Sequence, residues 1–138
     1  VDLGHWKIKD GLDFTEDCFG FIYSIKNLTN NKTYIGKKQC RRKIKRKPLK
    51  GKLRNRIDSK ESDWKFYTGS SNDLNEDIKK CGKDNFEFLI LKTCGSKWEL
   101  SYEEIKEQIS RDVLLNENYY NGIINVRIGK PPKNLVKE

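Results

Sequence analysis

Two tyrosines stand on either side of a short polar loop, Tyr23 in Phe21-Ile22-Tyr23 and Tyr34 in Tyr34-Ile35-Gly36, and a dense run of Lys and Arg follows the second at once. Hydroxyls beside concentrated positive charge suit work on a phosphate ester. Hydrolysis of such an ester needs a nucleophile, stabilisation of charge on the phosphoryl oxygens, and help for the leaving group. A phenol has an unperturbed pKa of about 10, so a tyrosine acts as a base only where a neighbouring positive charge favours its phenolate. Lys37 and Lys38, just after Tyr34, are close enough in sequence to reach across a strand pair toward Tyr23. A carboxylate completes the set, because Mg²⁺ takes oxygen ligands, keeps several waters and often uses one or two carboxylates plus phosphate. Glu103, Glu104 and Glu107 lie together in one helical stretch. At about 100° per residue, only Glu104 shares its row with apolar neighbours, Leu100 and Leu115, together with Gln108.

The charge is uneven. The chain of 138 residues has a net charge of +9, yet residues 37–56 hold twelve basic residues and no acidic one, leaving 17 basic against 20 acidic elsewhere. A local positive field of this kind suits a polyanion. A membrane surface is the competing polyanion, but the basic run has no apolar stripe and the chain has no long apolar stretch. The basic residues expected to meet nucleic acid are Lys37, Arg41, Arg42, Arg46, Lys52 and Arg56. Cys18, Cys40, Cys81 and Cys94 form no CxxC pair, and the single His5 is remote from them, which disfavours structural zinc. Reduced thiols and the lack of a visible signal peptide fit the cytoplasm. The chain begins with Val and contains no Met, so it is expected to lack its natural start, and the missing targeting segment carries little weight.

The length suits one domain. Residues 1–18 read as an arm that lays Trp6, Leu12 and Phe14 on the domain. Residues 19–25 alternate, 27–32 supply turn chemistry, and 33–36 resume, which predicts a β-hairpin. Pro48 and Gly51 predict a loop with helical fragments in the basic stretch. Leu74, Ile78 and Cys81 predict a helix over 72–81, with Asp73 and Glu76 as capping pair and Gly82 as stop. Residues 86–91 read as a third strand. Ser96 and Glu99 form a capping box for a helix to about Leu115, with Trp98, Tyr102, Ile105, Ile109 and Val113 on its apolar stripe. A last strand is expected over 123–128, then a polar tail over 129–138.

The pair Gly20-Phe21-Ile22-Tyr23 and Tyr34-Ile35-Gly36 resembles the two namesake motifs of the GIY-YIG nuclease family. The resemblance extends through Trp64-x-x-Tyr67-x-Gly69-Ser70-Ser71, Gly82-Lys83-Asp84-Asn85-Phe86, Tyr102-x-Glu104-x-Lys106-x-Gln108 and Tyr119-Tyr120-Asn121, a set similar to the phage-encoded, homing-type branch. It implies an α+β fold, a small central antiparallel β-sheet flanked by α-helices. The domain is then expected over 19–128, with a basic insertion at 37–63.

The resemblance also implies a metal-dependent DNA endonuclease, homing-type or nicking, acting on double-stranded DNA in the host cytoplasm if phage encoded. Tyr23 would be the general base for an attacking water and Tyr34 the second motif tyrosine. Glu104 would hold Mg²⁺ or Mn²⁺, and Asn121 would organise the site by hydrogen bonds. Many family members carry an Arg about ten residues after the second motif, where this chain has Ile44. The phosphate-binding cation is therefore Lys38 or, from the run 52–56, Arg54 or Arg56, and Tyr67 occupies a position used by other polar residues. Two other readings stay open: a non-catalytic nucleic-acid-binding module, and a restriction-type dimeric endonuclease. A homodimer or a separate partner is left open as the source of specificity.

Overall fold

Phe21, Ile22, Tyr23 and Ile25 put bulk on both faces of one strand, so that strand needs cover on two sides and takes a central place in the sheet. The computed structural model describes residues 2–15, 17–54, 56–125 and 127–135. Its elements are β1 (Lys7–Ile8), β2 (Gly20–Asn27), β3 (Thr33–Gln39), β4 (Arg41–Arg46), β5 (Arg56–Glu61), α1 (Asn72–Cys81), β6 (Phe86–Cys94) and α2 (Lys97–Ser110). The main sheet has the order β1-β6-β2-β3. β2 is antiparallel to both neighbours, as expected, and the arm adds β1 as a parallel edge, making the sheet mixed and the fold α+β.

The pleat separates two cores. On one face Phe21, Tyr23, Ile25, Phe88 and Ile90 pack with Trp6, Trp64 and Leu74. The other face carries Ile22, Ile35 and Cys94 against Leu100 and Val113. A register shift pairs Ile22 with Lys92 but Tyr23 with Ile90, leaving Leu91 as the extra residue of a bulge. The arm is anchored by Trp6, whose Nε1 donates to the Trp64 carbonyl at 2.5 Å.

Between β2 and β3 the Asn27 side chain accepts from the Thr29 N–H at 2.9 Å, and Asn31 takes a positive φ of 62°, a conformation Asn tolerates in turns. The helix α1 forms where expected and ends at Gly82, but its cap is Ser71, which accepts from the Leu74 N–H at 3.3 Å. Asn72 already has helical geometry, so Asp73 lies inside the first turn and cannot cap it. Ser96 caps α2 through the Glu99 N–H at 3.2 Å, while the Glu99 carboxylate turns to the Gly95 N–H at 3.4 Å. This helix stops at Ser110, not Leu115, and Asp112 in the following turn takes a φ of 53°.

Three further expectations need correction. First, the basic stretch is not a loop with helical fragments: β4 and β5 form a separate two-stranded ribbon, paired from Arg41↔Glu61 to Arg46↔Arg56. Pro48 and Gly51 fall in its connection, where they interrupt no ladder. Polar contacts span its strands, Arg46 to Asp58 at 3.4 Å and the Arg41 guanidinium to the Ser59 carbonyl at 3.1 Å. Second, the inward residues of α2 are Leu100 and Gln108, whereas Tyr102 and Ile109 are exposed. Trp98 and Tyr102 stack on each other at 4.9 Å on the outer side, and Trp98 Nε1 donates to the Gly129 carbonyl at 2.9 Å. Third, 123–125 and 127–128 form no strand; Val126 and the tail residues 136–138 lie outside the described residues. Chain 118–121 instead runs along β3, with a parallel bridge between Thr33 and Tyr119. No helix among the described residues is long and apolar enough to cross a membrane.

Candidate active site

Cross-strand pairing sets Tyr23 opposite Gly36 and Tyr34 opposite Ile25, which puts both phenols on the same face of the hairpin. Their ring centroids are 6.2 Å apart, and Tyr67 stands edge-on to Tyr23 at the same separation. The Tyr34 and Ser70 hydroxyls share a hydrogen bond of 3.0 Å. Tyr23 is fully buried. Burial, reinforced by Tyr34, Tyr67 and Glu104, holds its phenol well above the usual tyrosine range. Tyr34 and Tyr67 are also raised, chiefly by burial. Neither lysine lowers Tyr23: alternation along β3 turns Lys37 to the other face, and Lys38, on the tyrosine face, is paired with Asp63. Lys38 shares the tyrosine face, with its ammonium 4.0 Å from the Tyr67 ring centre and 2.7 Å from an Asp63 oxygen. Lys37 points to the α2 face, donating to Ser101 Oγ at 3.1 Å.

Glu104 approaches from that second face. Its carboxylate lies 3.8 Å from the Lys37 ammonium, and its side chain is only 12% exposed. Burial raises its pKa, against the pull of the Lys37 charge and the Lys37 main-chain N–H. The neighbouring carboxylates are committed elsewhere, Glu103 to Lys92 at 2.9 Å and Glu107 to Arg111 at 2.8 Å. Glu104 therefore sits beside the outer edge of β3, and its charge acts on both Tyr23 and Tyr34 around that edge. Among the described residues no three carboxylate, His or Cys side chains gather to enclose a metal. One half-desolvated carboxylate at an open edge fits a cation that fills its remaining positions with water and phosphate oxygens, the habit of Mg²⁺.

The groove beside this edge has a volume of about 710 Å³ and is lined by Lys37, Lys38, Arg42 and Lys60, with Glu61, Asp63 and Leu100 among its other walls. A family model described as "Putative endonuclease segE, GIY-YIG domain" matches residues 6–124. The chain belongs to the GIY-YIG family. Over 104 residues it is 32% identical to a "Putative endonuclease segE" of Enterobacteria phage T4, a match covering 75% of this chain and 40% of that protein. The chain thus spans about two fifths of that relative's length. No solved structure matches the chain significantly. GIY-YIG nucleases generally depend on a divalent metal.

Within this GIY-YIG core Asn121 is buried and clamps β3 at Ile35. Its Oδ1 accepts from the Ile35 N–H at 3.0 Å, and its Nδ2 donates to the Ile35 carbonyl at 2.9 Å. Gln108 Nε2 donates to the same carbonyl at 3.0 Å. The adjoining Tyr120 hydroxyl donates to Asp77 at 2.7 Å and accepts from Asn27 at 3.0 Å. Arg54 and Lys52 are not brought to the tyrosines: both are exposed in the connection beyond the Arg46↔Arg56 pair, at the far end of the ribbon. A strand of six residues at about 3.4 Å each spans roughly 20 Å. Arg56 lies at that same end, and Lys38 is the cation on the tyrosine face.

Sequence reasoning missed Ser101 and quoted Gly69 and Ser70 only as motif letters, with no role assigned. Ser70 and Ser101 are single hydroxyls whose partners, Tyr34 and Lys37, are brought to them only by the fold. Gly36 was noted as a motif letter, but its reason is spatial. A Cβ there would stand 2.5 Å from Tyr23 Oη and 2.9 Å from Tyr34 Cε2. Gly69, at φ +82°, faces the same hydroxyl, where an added Cβ would come within 3.3 Å. Gly36→Ala is expected to displace Tyr23 and destabilise the fold by about 1–3 kcal/mol, as overpacking does. Thermal melts and single-turnover cleavage check this. A variant with unchanged melting temperature and rate would show that the glycine gap is not what seats the phenol.

Proposed function

We propose that the chain hydrolyses phosphodiester bonds within double-stranded DNA in a divalent-metal-dependent reaction, as a homing-type or nicking endonuclease of a host cytoplasm. One observation carries this reading: the Tyr23 and Tyr34 hydroxyls and the Glu104 carboxylate converge around the glycine gap of β3, beside a groove lined with Lys37, Lys38, Arg42 and Lys60. Tyr23 takes the proton of the attacking water at its Oη as the water oxygen bonds to phosphorus and the bond from phosphorus to the leaving sugar oxygen breaks, that oxygen taking a proton from solvent. Tyr34, steadied by Ser70, holds a phosphoryl oxygen from the same face. Lys38 neutralises phosphate charge once it exchanges Asp63 for the substrate. Asn121 and Gln108 hold Ile35, and through it fix Tyr34 and Gly36 on either side. Glu104 would hold Mg²⁺ or Mn²⁺, which when bound supplies positive charge to the phosphoryl oxygens and opposes the burial that keeps Tyr23 protonated.

A supercoiled plasmid incubated with Mg²⁺, with Mn²⁺, or with EDTA tests the proposal. Nicked or linear product is expected with either metal and none with EDTA. DNA that is bound but left intact in both metals would reduce the chain to a nucleic-acid-binding module.

A further inference from the structure

We infer that one face of the β4–β5 ribbon, carrying Arg42, Arg46, Arg56 and Lys60, is a track for the phosphate backbone of duplex DNA, extending the catalytic groove to one side of the cut bond. The inference rests on the endonuclease reading and names the surface that holds its substrate. The register divides the ribbon into two faces: Arg42↔Lys60, Ile44↔Asp58 and Arg46↔Arg56 share one, while Arg41↔Glu61, Lys43↔Ser59 and Lys45 belong to the other. The cations of the two faces meet different clefts, while Glu61, at the root of the ribbon, lines both. Arg42 and Lys60 line the groove that also holds Lys37 and Lys38, next to Glu104. Arg41 instead lines a separate cleft with Asp2, Trp64 and Lys65.

The state of the side chains separates the faces further. The Arg41 guanidinium is committed to Ser59, by Nε to Oγ at 3.2 Å and by its terminal nitrogen to the carbonyl at 3.1 Å. Glu61 on that face accepts from Trp64 Nε1 at 3.0 Å and adds negative charge. On the track face the single carboxylate, Asp58, is paired with Arg46, and three further cations, Arg42, Arg56 and Lys60, stand beside that pair, Arg56 donating to the Lys47 carbonyl at 3.3 Å. All four cations are exposed. They continue the Lys37–Lys38 pair along a ribbon of roughly 20 Å, the length of about six base pairs at 3.4 Å each. The track face offers cations and no Asn or Gln, the residues that read adenine. Arg and Lys bind phosphate and can also pair with guanine edges, so two duplexes of unrelated sequence test whether the track is read the same on any sequence.

Fluorescence-anisotropy titrations of a labelled 30-base-pair duplex, in EDTA and over a range of KCl, read the number of phosphates engaged. The variant R42Q/R46Q/R56Q/K60Q should flatten the slope of log affinity against log salt by about 3 to 4, at 0.9 per lost contact. The variant R41Q/K43Q/K45Q should change it by less than about 1. Two duplexes of unrelated sequence should respond alike, and circular dichroism should match the parent for both variants. An equal drop in both variants would overturn the one-face assignment. An unchanged slope in the first would take the DNA off the ribbon altogether. If the parent fails to cut plasmid yet the slopes divide as expected, the endonuclease reading fails and the track stands; if the parent cuts and the slopes do not divide, only the track fails.

Discussion

Glu104→Ala is expected to lower DNA cleavage by about 10³-fold or more while leaving duplex binding intact. A metal supplies several kcal/mol of charge stabilisation in the transition state, and each 1.36 kcal/mol is worth about tenfold in rate. Glu104 is the candidate because its carboxylate is desolvated at the edge of β3 and only loosely held, 3.8 Å from Lys37. Glu103 and Glu107 are engaged by Lys92 and Arg111. Truncating Glu104 also releases Lys37 from its carboxylate partner, so affinity for a polyanion should not fall. Single-turnover rates in Mg²⁺ and anisotropy in EDTA separate the two quantities. The assignment collapses if Glu104→Ala cuts at the parent rate while Glu103→Ala or Glu107→Ala is dead.

Tyr23→Phe should slow the chemical step by about 10²- to 10⁴-fold, the usual cost of losing a general base. Phenylalanine keeps the ring that packs beside Phe21, Trp6 and Tyr67, so stability and binding should change little. Because burial raises the Tyr23 pKa, the phenolate fraction of the free protein is small at neutral pH and grows as pH rises. The parent rate should climb with pH across the neutral range, and the Phe variant should lose that climb. Tyr34→Phe, which breaks the contact with Ser70, should also slow turnover more than it weakens binding. Rates near those of the parent in both variants would reduce the two tyrosines to packing.

Legibility in the sequence followed the kind of force involved. The β2–β3 hairpin, α1 and β6 announced themselves because turn chemistry, apolar spacing and glycine stops agree with the final packing. The row of Glu104 was legible in part: Leu100 and Gln108 are buried on it, but Leu115 lies beyond the helix end and is exposed. The direction of the row was not: a stripe of Trp98, Tyr102, Ile105 and Ile109 looked more like a core face. The fold turns the more polar row inward because Gln108 meets the Ile35 carbonyl and Glu104 meets Lys37, contacts that exist only after β3 is in place. The ribbon was hidden for a related reason. Its strands lack the apolar alternation that marks a half-buried sheet, and their pairing is carried by backbone bonds and charge contacts between segments separated by a loop. The two sides of β3 were invisible too: Lys37 and Lys38 are neighbours in the chain, yet they serve opposite faces.

An outer strand ordinarily offers its unpaired backbone as a template for another strand. Here that offer is withdrawn residue by residue. Thr33 is taken by Asn118 and Tyr120 at 2.8 Å each, and Ile35 by the side chains of Asn121 and Gln108. The sheet is therefore closed to strand addition by a second copy or an extended peptide along 33–35. What remains at the far half of the strand is a lip, with phenols on one side and a carboxylate on the other. A lip admits a long polymer sideways at any internal bond and requires no free end to be threaded, whereas a pit at the bottom of the fold would select for ends.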